Sequence, residues 1–188
     1  VYRYFLVREV PFGLDGNFSE EAIVKRFNGD LANDLGNLVF RTLTMVEKYY
    51  NGNVPAVDIG AYRFDERGAE IVRLIGGIDG LMEQSLSPAQ DANFSAALEQ
   101  LWGLINMANK YVEETKPWNL AKESKDEQLR AFMRLLVEVI RTAGSLIEPF
   151  MPGTARSIKE QLGRDTIAKG APLFPRIETD GKKRTEKK

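Results

Sequence analysis

Cysteine and histidine are both absent from the 188 residues. Without thiols there is no disulfide, no thiolate zinc site and no cysteine nucleophile, which fits a reducing compartment. Without imidazole, Ser-His-Asp triads, two-His zinc sites and Glu-x-x-His di-iron sites are excluded. A surplus of one charge is missing too: 26 Lys+Arg against 27 Asp+Glu leave a formal net charge of −1. A nucleic-acid partner would therefore be held by a few placed contacts rather than by a broad basic field. No apolar run approaches the roughly 20 residues that span a membrane, and no signal peptide is visible. Strand-period segments of useful length and internal repeats are also missing. The adjacent pairs Glu20-Glu21 and Glu113-Glu114 do not face each other on a helix, so neither makes a carboxylate dyad. Gly76-Gly77 lies inside a helical pattern with no strand before it and is not a phosphate loop. No catalytic and no metal-ligating residue is proposed within the chain.

What is present is helical periodicity. Residues 19 to 51 read as one helix, capped by Ser19, with Glu20 and Glu21 at its positive end and Asn51-Gly52 closing it. Its stripe is Ile23, Phe27, Leu31, Leu35, Leu38, Thr42 and Met45. Residues 65 to 86 form a second, with Ile71, Leu74, Ile75, Ile78 and Met82 on one face. Its Gly76, Gly77 and Gly80 are read as sites of close helix–helix approach. The third runs from 88 to 115, with Pro88 in its first turn and a stripe of Phe94, Leu98, Leu101, Ile105, Ala108 and Val112. The fourth spans 124 to 148, with Leu129, Phe132, Met133, Leu136, Ile140, Ala143 and Ile147 facing inward. A short fifth covers 154 to 162. The fold class expected is all-α, a bundle of about five helices. Pro172 to Ile177 is expected to pack back on the bundle. The lysine-rich end beyond it (Lys182, Lys183, Arg184, Lys187, Lys188) is read as a basic terminus or linker.

Two places carry recognition chemistry. Trp118 follows Pro117 at a helix break, among the polar Lys116, Asn119 and Lys122. The break favours exposure; the alternative is a core or capping tryptophan with its N–H satisfied locally. Trp102, inside a helical stripe, reads as core. Asn37 and Arg41 are spaced i, i+4 and share a face, which Asn33 extends by a further turn. The alternative there is a solvated helix face. Asn28, Asn33 and Asn37 are three mediocre helix formers in one helix, tolerated most easily where the side chains have work to do. A flat aromatic face, an amide and a guanidinium are the groups that read unstacked RNA bases.

Three blocks carry a family resemblance. Arg3 to Gly13, followed by Asp15-Gly16-Asn17-Phe18-Ser19, closely resembles the stretch after the KMSKS loop in bacterial methionyl-tRNA synthetases. Asn28 to Leu38 resembles the opening of that family's anticodon-binding helix bundle, the bundle type of class Ia aminoacyl-tRNA synthetases. Asn109 to Lys122 is similar to its third motif. The resemblance runs in order over residues 1 to about 163. It implies that Trp118 stacks on an anticodon base and that Asn37 and Arg41 read base edges, with Asn33 and Lys116 as weaker candidates. Phe40 is a departure, since relatives often carry a polar residue there. It also implies a partner, the anticodon loop of methionine tRNA with the sequence CAU, and an upstream catalytic domain of the same chain. The nucleotide-binding HIGH motif needs a histidine that this sequence lacks, and no KMSKS loop is present. The chain begins with Val1, so it is expected to be part of a longer protein. The ATP, Mg and methionine pockets are then expected upstream, and no cofactor is expected in these residues. The implied division is 1–18 for the catalytic-side stem-contact region, 19–163 for the helical anticodon-binding domain and 164–188 for the tail and basic end. The implied location is cytoplasmic, with no membrane contact.

A reading from another class remains beside it: a helical protein-interaction module with Trp118 as its anchor. A carboxylate metal enzyme inside the bundle finds no pair of inward-facing glutamates at helical spacing to support it.

Overall fold

The first helix, α1 (Tyr2–Glu9), buries Tyr4 and Phe5 and packs against the later helix α5 (Phe94–Thr115). The computed structural model describes residues 1–9, 19–90 and 92–178. The Val10–Phe18 part of the first family block and the lysine-rich end from Lys182 lie outside the described residues. Tyr4 donates to Asp30 at 2.6 Å. Burial and this carboxylate together push its phenol far up, so it stays protonated. Arg26 joins the cluster, donating to Glu9 at 2.5 Å and to Asp30 at 3.3 Å.

Ser19 caps α2 (Glu20–Arg26) as its position predicts, its hydroxyl accepting the Ala22 N–H at 3.1 Å. The helical path then runs without a break to Tyr50, where Asn51 adopts the left-handed conformation at φ 50° and ends it. Inside that path the expectation of uniform α-helix needs correction. Phe27–Gly36 winds as a π-helix, with backbone bonds spanning five residues, before α3 (Asn37–Tyr50) resumes the α form. Asn28, Gly29, Asp30, Asn33, Asp34 and Gly36 crowd this stretch, and all are poor at holding α geometry. Gly36 shows why a side chain is excluded at its end. A Cβ there would lie 2.8 Å from the Leu31 carbonyl oxygen and 3.4 Å from the Phe174 ring. Leu31, Leu35, Leu38, Thr42 and Val46 still point inward through both forms, so the change of winding does not break the buried stripe.

Helix α4 (Glu66–Leu86) starts at Asp65, whose carboxylate accepts the Gly68 N–H at 2.8 Å. A second correction falls here. Gly76, Gly77 and Gly80 face open space: a Cβ added at any of them would meet nothing within 4 Å, so they are not close-approach sites. Close approach occurs instead at Gly68, beside Phe64 and the Tyr111 hydroxyl, and at Gly144, beside Ile158. A third correction concerns α5. Pro88 opens only a single 3₁₀ turn, and the helix begins at Phe94, with Asn93 accepting the Ala96 N–H at 2.9 Å. Phe94 itself is 37% exposed rather than part of the buried stripe, while Leu98, Leu101, Ile105, Ala108 and Val112 are fully buried.

Lys116, left-handed at φ 49°, closes α5, and Pro117 opens the short α6 (Pro117–Lys122). The hub of the bundle is α7 (Asp126–Leu146), which packs against α3, α4, α5, α6 and α8 (Pro152–Leu162). All seven stripe residues expected from Leu129 to Ile147 are buried. After α8 the chain turns back along the first long helix, antiparallel to it. The Val54 N–H donates to the Asp165 carbonyl and the Ile167 N–H to the Gly52 carbonyl. Further on, Phe174 packs edge-on against Phe27 at 5.9 Å. Asn28 then exchanges two hydrogen bonds with the Ile177 backbone, at 2.8 and 2.9 Å. The Asn28 amide is thus spent on structure. The regular elements of the described residues are all helices, with one isolated bridge between Asn53 and Thr166.

Candidate nucleic-acid interface

Asn37, Phe40, Arg41 and Thr44 share one face of α3 by helical spacing. Asn37 is exposed and Phe40 is 40% exposed. Arg41 leans toward α5 and donates to Glu113 at 2.5 Å. One helical turn below, Asn109 of α5 donates to the Asp34 carbonyl at 3.1 Å. These two contacts lay the end of α5 along the π-to-α junction. The residues after Glu113 then deliver the joint: Lys116 is exposed, Pro117 is buried as a wedge, and Trp118, the second residue of α6, is 39% exposed. Trp102 is 3% exposed and packs on Tyr4 at 4.8 Å, as its position in the stripe predicts. The two tryptophans therefore differ sharply in access to a ligand.

Asn33 is exposed but sits in the π segment. The wider π turn changes the angle at which it is presented relative to Asn37 and Arg41. Glu113 and Glu114 point to different partners. Glu114 takes Arg67 at 3.2 Å and Lys110 at 3.7 Å, while Glu113 takes Arg41. An exposed pair of this kind contributes about 0–1 kcal/mol, so Arg41 is positioned by Glu113 without being locked to it.

Sequence reasoning missed one cation on this face. Lys169, in the returning tail, places its ammonium 4.8 Å from the Phe40 ring centre and 3.5 Å from Glu47. No local pattern reveals it, because it reaches Phe40 across 129 positions of chain through a segment with no periodicity.

Asp34 sets the electrostatics of the junction. Burial, with the Asp30 carboxylate adding to it, raises its pKa from 3.8 to about 6. A folded value above the unfolded one means that its stabilising contribution is fully present below about pH 4. That contribution is lost as pH rises through about 6. Asp34→Asn is therefore expected to raise stability at pH 7.5 by about 1 kcal/mol, a figure reduced for solvent screening of a half-exposed group. The gain should shrink at pH 4.5 in parallel urea denaturation, and an equal gain at both pH values would contradict the account.

Among the described residues, no group of three or more carboxylates comes together to hold a metal, and no helix is long and apolar enough to cross a membrane.

A family model described as the anticodon binding domain of methionyl tRNA ligase matches residues 65–172, more than half of the chain. A second, described as class I tRNA synthetases (M), matches residues 1–43. The chain belongs to the methionyl-tRNA ligase family and contains its anticodon-binding domain. The methionine–tRNA ligase of Halalkalibacterium halodurans is 43% identical over 95% of the chain, which spans 29% of that relative. For the Caldanaerobacter subterraneus enzyme the figures are 40%, 99% and 32%. The chain thus spans about a third of the curated relatives it matches. Among solved structures, the free-state methionyl-tRNA synthetase of Mycobacterium tuberculosis aligns with a TM-score of 0.84 and 36% identity. The alignment covers 94% of this chain and 38% of that one. The same enzyme in complex with methionyl-adenylate gives 0.84 and 35%, over 93% and 37%. These findings favour the anticodon-domain reading over a helical protein-interaction module.

Proposed function

We propose that this domain reads the CAU anticodon of methionine tRNA with Trp118, Asn37 and Arg41. Trp118 offers a stacking face, Asn37 a donor and an acceptor to one base edge, and Arg41 a planar fork to a base or phosphate. Asn33 and Lys116 flank the site as secondary contacts. The observation that carries this reading is the 2.5 Å pair between Arg41 and Glu113. It supports a single surface, because Glu113 stands three residues before Lys116 and five before Trp118. Helices rather than loops carry Asn37 and Arg41, which favours pre-organisation.

The activity proposed for the whole protein is ATP-dependent attachment of methionine to tRNA, in the cytoplasm. ATP, its Mg and methionine would bind in a catalytic body preceding residues 1–18. Residues 19–163 would recognise the anticodon, and 164–188 would form the tail and basic end.

Asn37→Ala tests the assignment of the amide. It is expected to weaken binding of a CAU anticodon stem-loop roughly 5- to 30-fold, about 1–2 kcal/mol. It should cost little further against a loop with the contacted base changed, measured by fluorescence anisotropy. Equal losses on both loops would remove Asn37 from base reading.

A further inference from the structure

A second concentration of cations lies between α7 and α8 and shares no residue with the face described above. Gly144 sets its geometry. A Cβ there would meet Ile158 Cγ2 at 2.9 Å, so the glycine lets α8 press directly on α7. Beside this contact opens a cavity of about 990 Å³. Arg134 and Arg141 line it from α7, Arg156 and Lys159 from α8, and Arg164 from the turn beyond. Its carboxylates are only Glu148 and Asp165. The excess is positive in a chain whose formal net charge is −1.

These cations are poorly neutralised. A single carboxylate, Glu138, serves two guanidiniums, accepting from Arg134 at 3.0 Å and from Arg141 at 2.8 Å. Arg134 Nε is buried with no acceptor among the described residues. Arg141 turns a further donor onto the Arg164 carbonyl, which holds the turn after α8 at the rim. Arg156 and Lys159 are exposed, and among the described residues neither has a carboxylate within ion-pair distance. Cations converging on a concave surface focus positive potential into it. Guanidinium forks match carboxylate and phosphate oxygens alike, and several under-paired cations in one groove favour the more highly charged phosphates. The volume exceeds what one phosphate fills and is in the range of a multi-phosphate ligand.

We propose that the α7–α8 groove is a phosphate-binding site, separate from the anticodon face, with Arg156 and Lys159 as its available contacts. Its ligand chemistry is a run of phosphate oxyanions, supplied either by an RNA backbone or by a free polyphosphate.

The test is the double variant Arg156→Gln/Lys159→Gln of the whole chain. Both side chains are exposed, so the fold should persist, which thermal denaturation checks. The probes are a short RNA duplex without a loop and inorganic tripolyphosphate. The duplex presents no unstacked base to Trp118, so failure of the anticodon reading would leave this result untouched. The parent chain should bind, and the variant should lose on the order of 10-fold in affinity. The slope of log affinity against log salt should become shallower by about 1.5, at roughly 0.7–0.9 per lost phosphate contact. The control Arg63→Gln/Arg73→Gln, which removes as much charge from exposed positions outside the groove, should change little. Loss of duplex binding identifies the RNA backbone as the source, and loss confined to tripolyphosphate identifies a free polyphosphate. Absent binding of both probes to the parent, unchanged binding by the groove variant, or an equal loss in the control would overturn the proposal.

Discussion

Replacing Trp118 by alanine is expected to lower the affinity for a CAU anticodon stem-loop by roughly 5- to 150-fold, the 1–3 kcal/mol that one base stacked on an aromatic ring contributes. The indole is 39% exposed on a six-residue helix, and the buried wedge at that joint is Pro117 rather than Trp118. Removing the ring should therefore leave the bundle folded, with an unchanged thermal midpoint. Stacking uses the flat face and not the indole N–H, so Trp118→Phe should recover part of the loss. Binding is read by anisotropy of the labelled stem-loop. Unchanged affinity of Trp118→Ala would remove the tryptophan from the interface, whatever the fate of Asn37.

The largest effect on stability is expected from Phe132→Ala. Phe132 is 2% exposed in the first half of α7, the helix against which α3, α4, α5, α6 and α8 all pack. Its ring lies 5.1 Å from that of Tyr111, tilted by 45°. Truncation removes the buried apolar surface and the ring contact and leaves a cavity that a hub helix held from several sides cannot close. The cost expected is about 3–5 kcal/mol, a large share of the roughly 5–15 kcal/mol that holds a domain together. Urea denaturation should show a lower midpoint with an unchanged slope. The anticodon preference of the molecules that remain folded should not change, which separates this variant from Trp118→Ala. A loss below about 1 kcal/mol would mean that α7 is not the hub its contacts describe.

Much of this architecture is legible in the sequence because local chemistry decides it. Ser19 caps a helix by offering an acceptor to the helix's own first turn, and Asn51 ends one by tolerating a left-handed backbone. The α7 stripe is unmistakable because every third or fourth residue from Leu129 to Ile147 is apolar. Trp118 and Trp102 sort into exposed and buried by their positions, one at a proline break and one in a stripe. What stays hidden depends on partners distant in sequence. Phe174 returns from far along the chain to pack beside Gly36, the last residue of the π segment. Asn28 stands out only as one of three amides in a helix until Ile177 arrives to occupy it. Gly76, Gly77 and Gly80 suggest a helix crossing, yet that face of α4 has no neighbour within reach, and Gly144 on α7 marks the true close contact. Arg41 and Lys169 follow the same rule: neither the pairing with Glu113 nor the seat on Phe40 has a local signature.

The central claim is that the surface joining α3 to the α5–α6 break reads a methionine anticodon. It is tested most directly by the intrinsic fluorescence of the unmodified chain. Only Trp118 is open to a ligand, because Trp102 is 3% exposed behind Tyr4, so quenching reports on this surface. The chain is titrated with a CAU stem-loop and with the same stem-loop carrying one altered anticodon base. The account predicts saturable quenching by the CAU loop and at least a tenfold weaker response to the altered one. Equal quenching by both loops would contradict it.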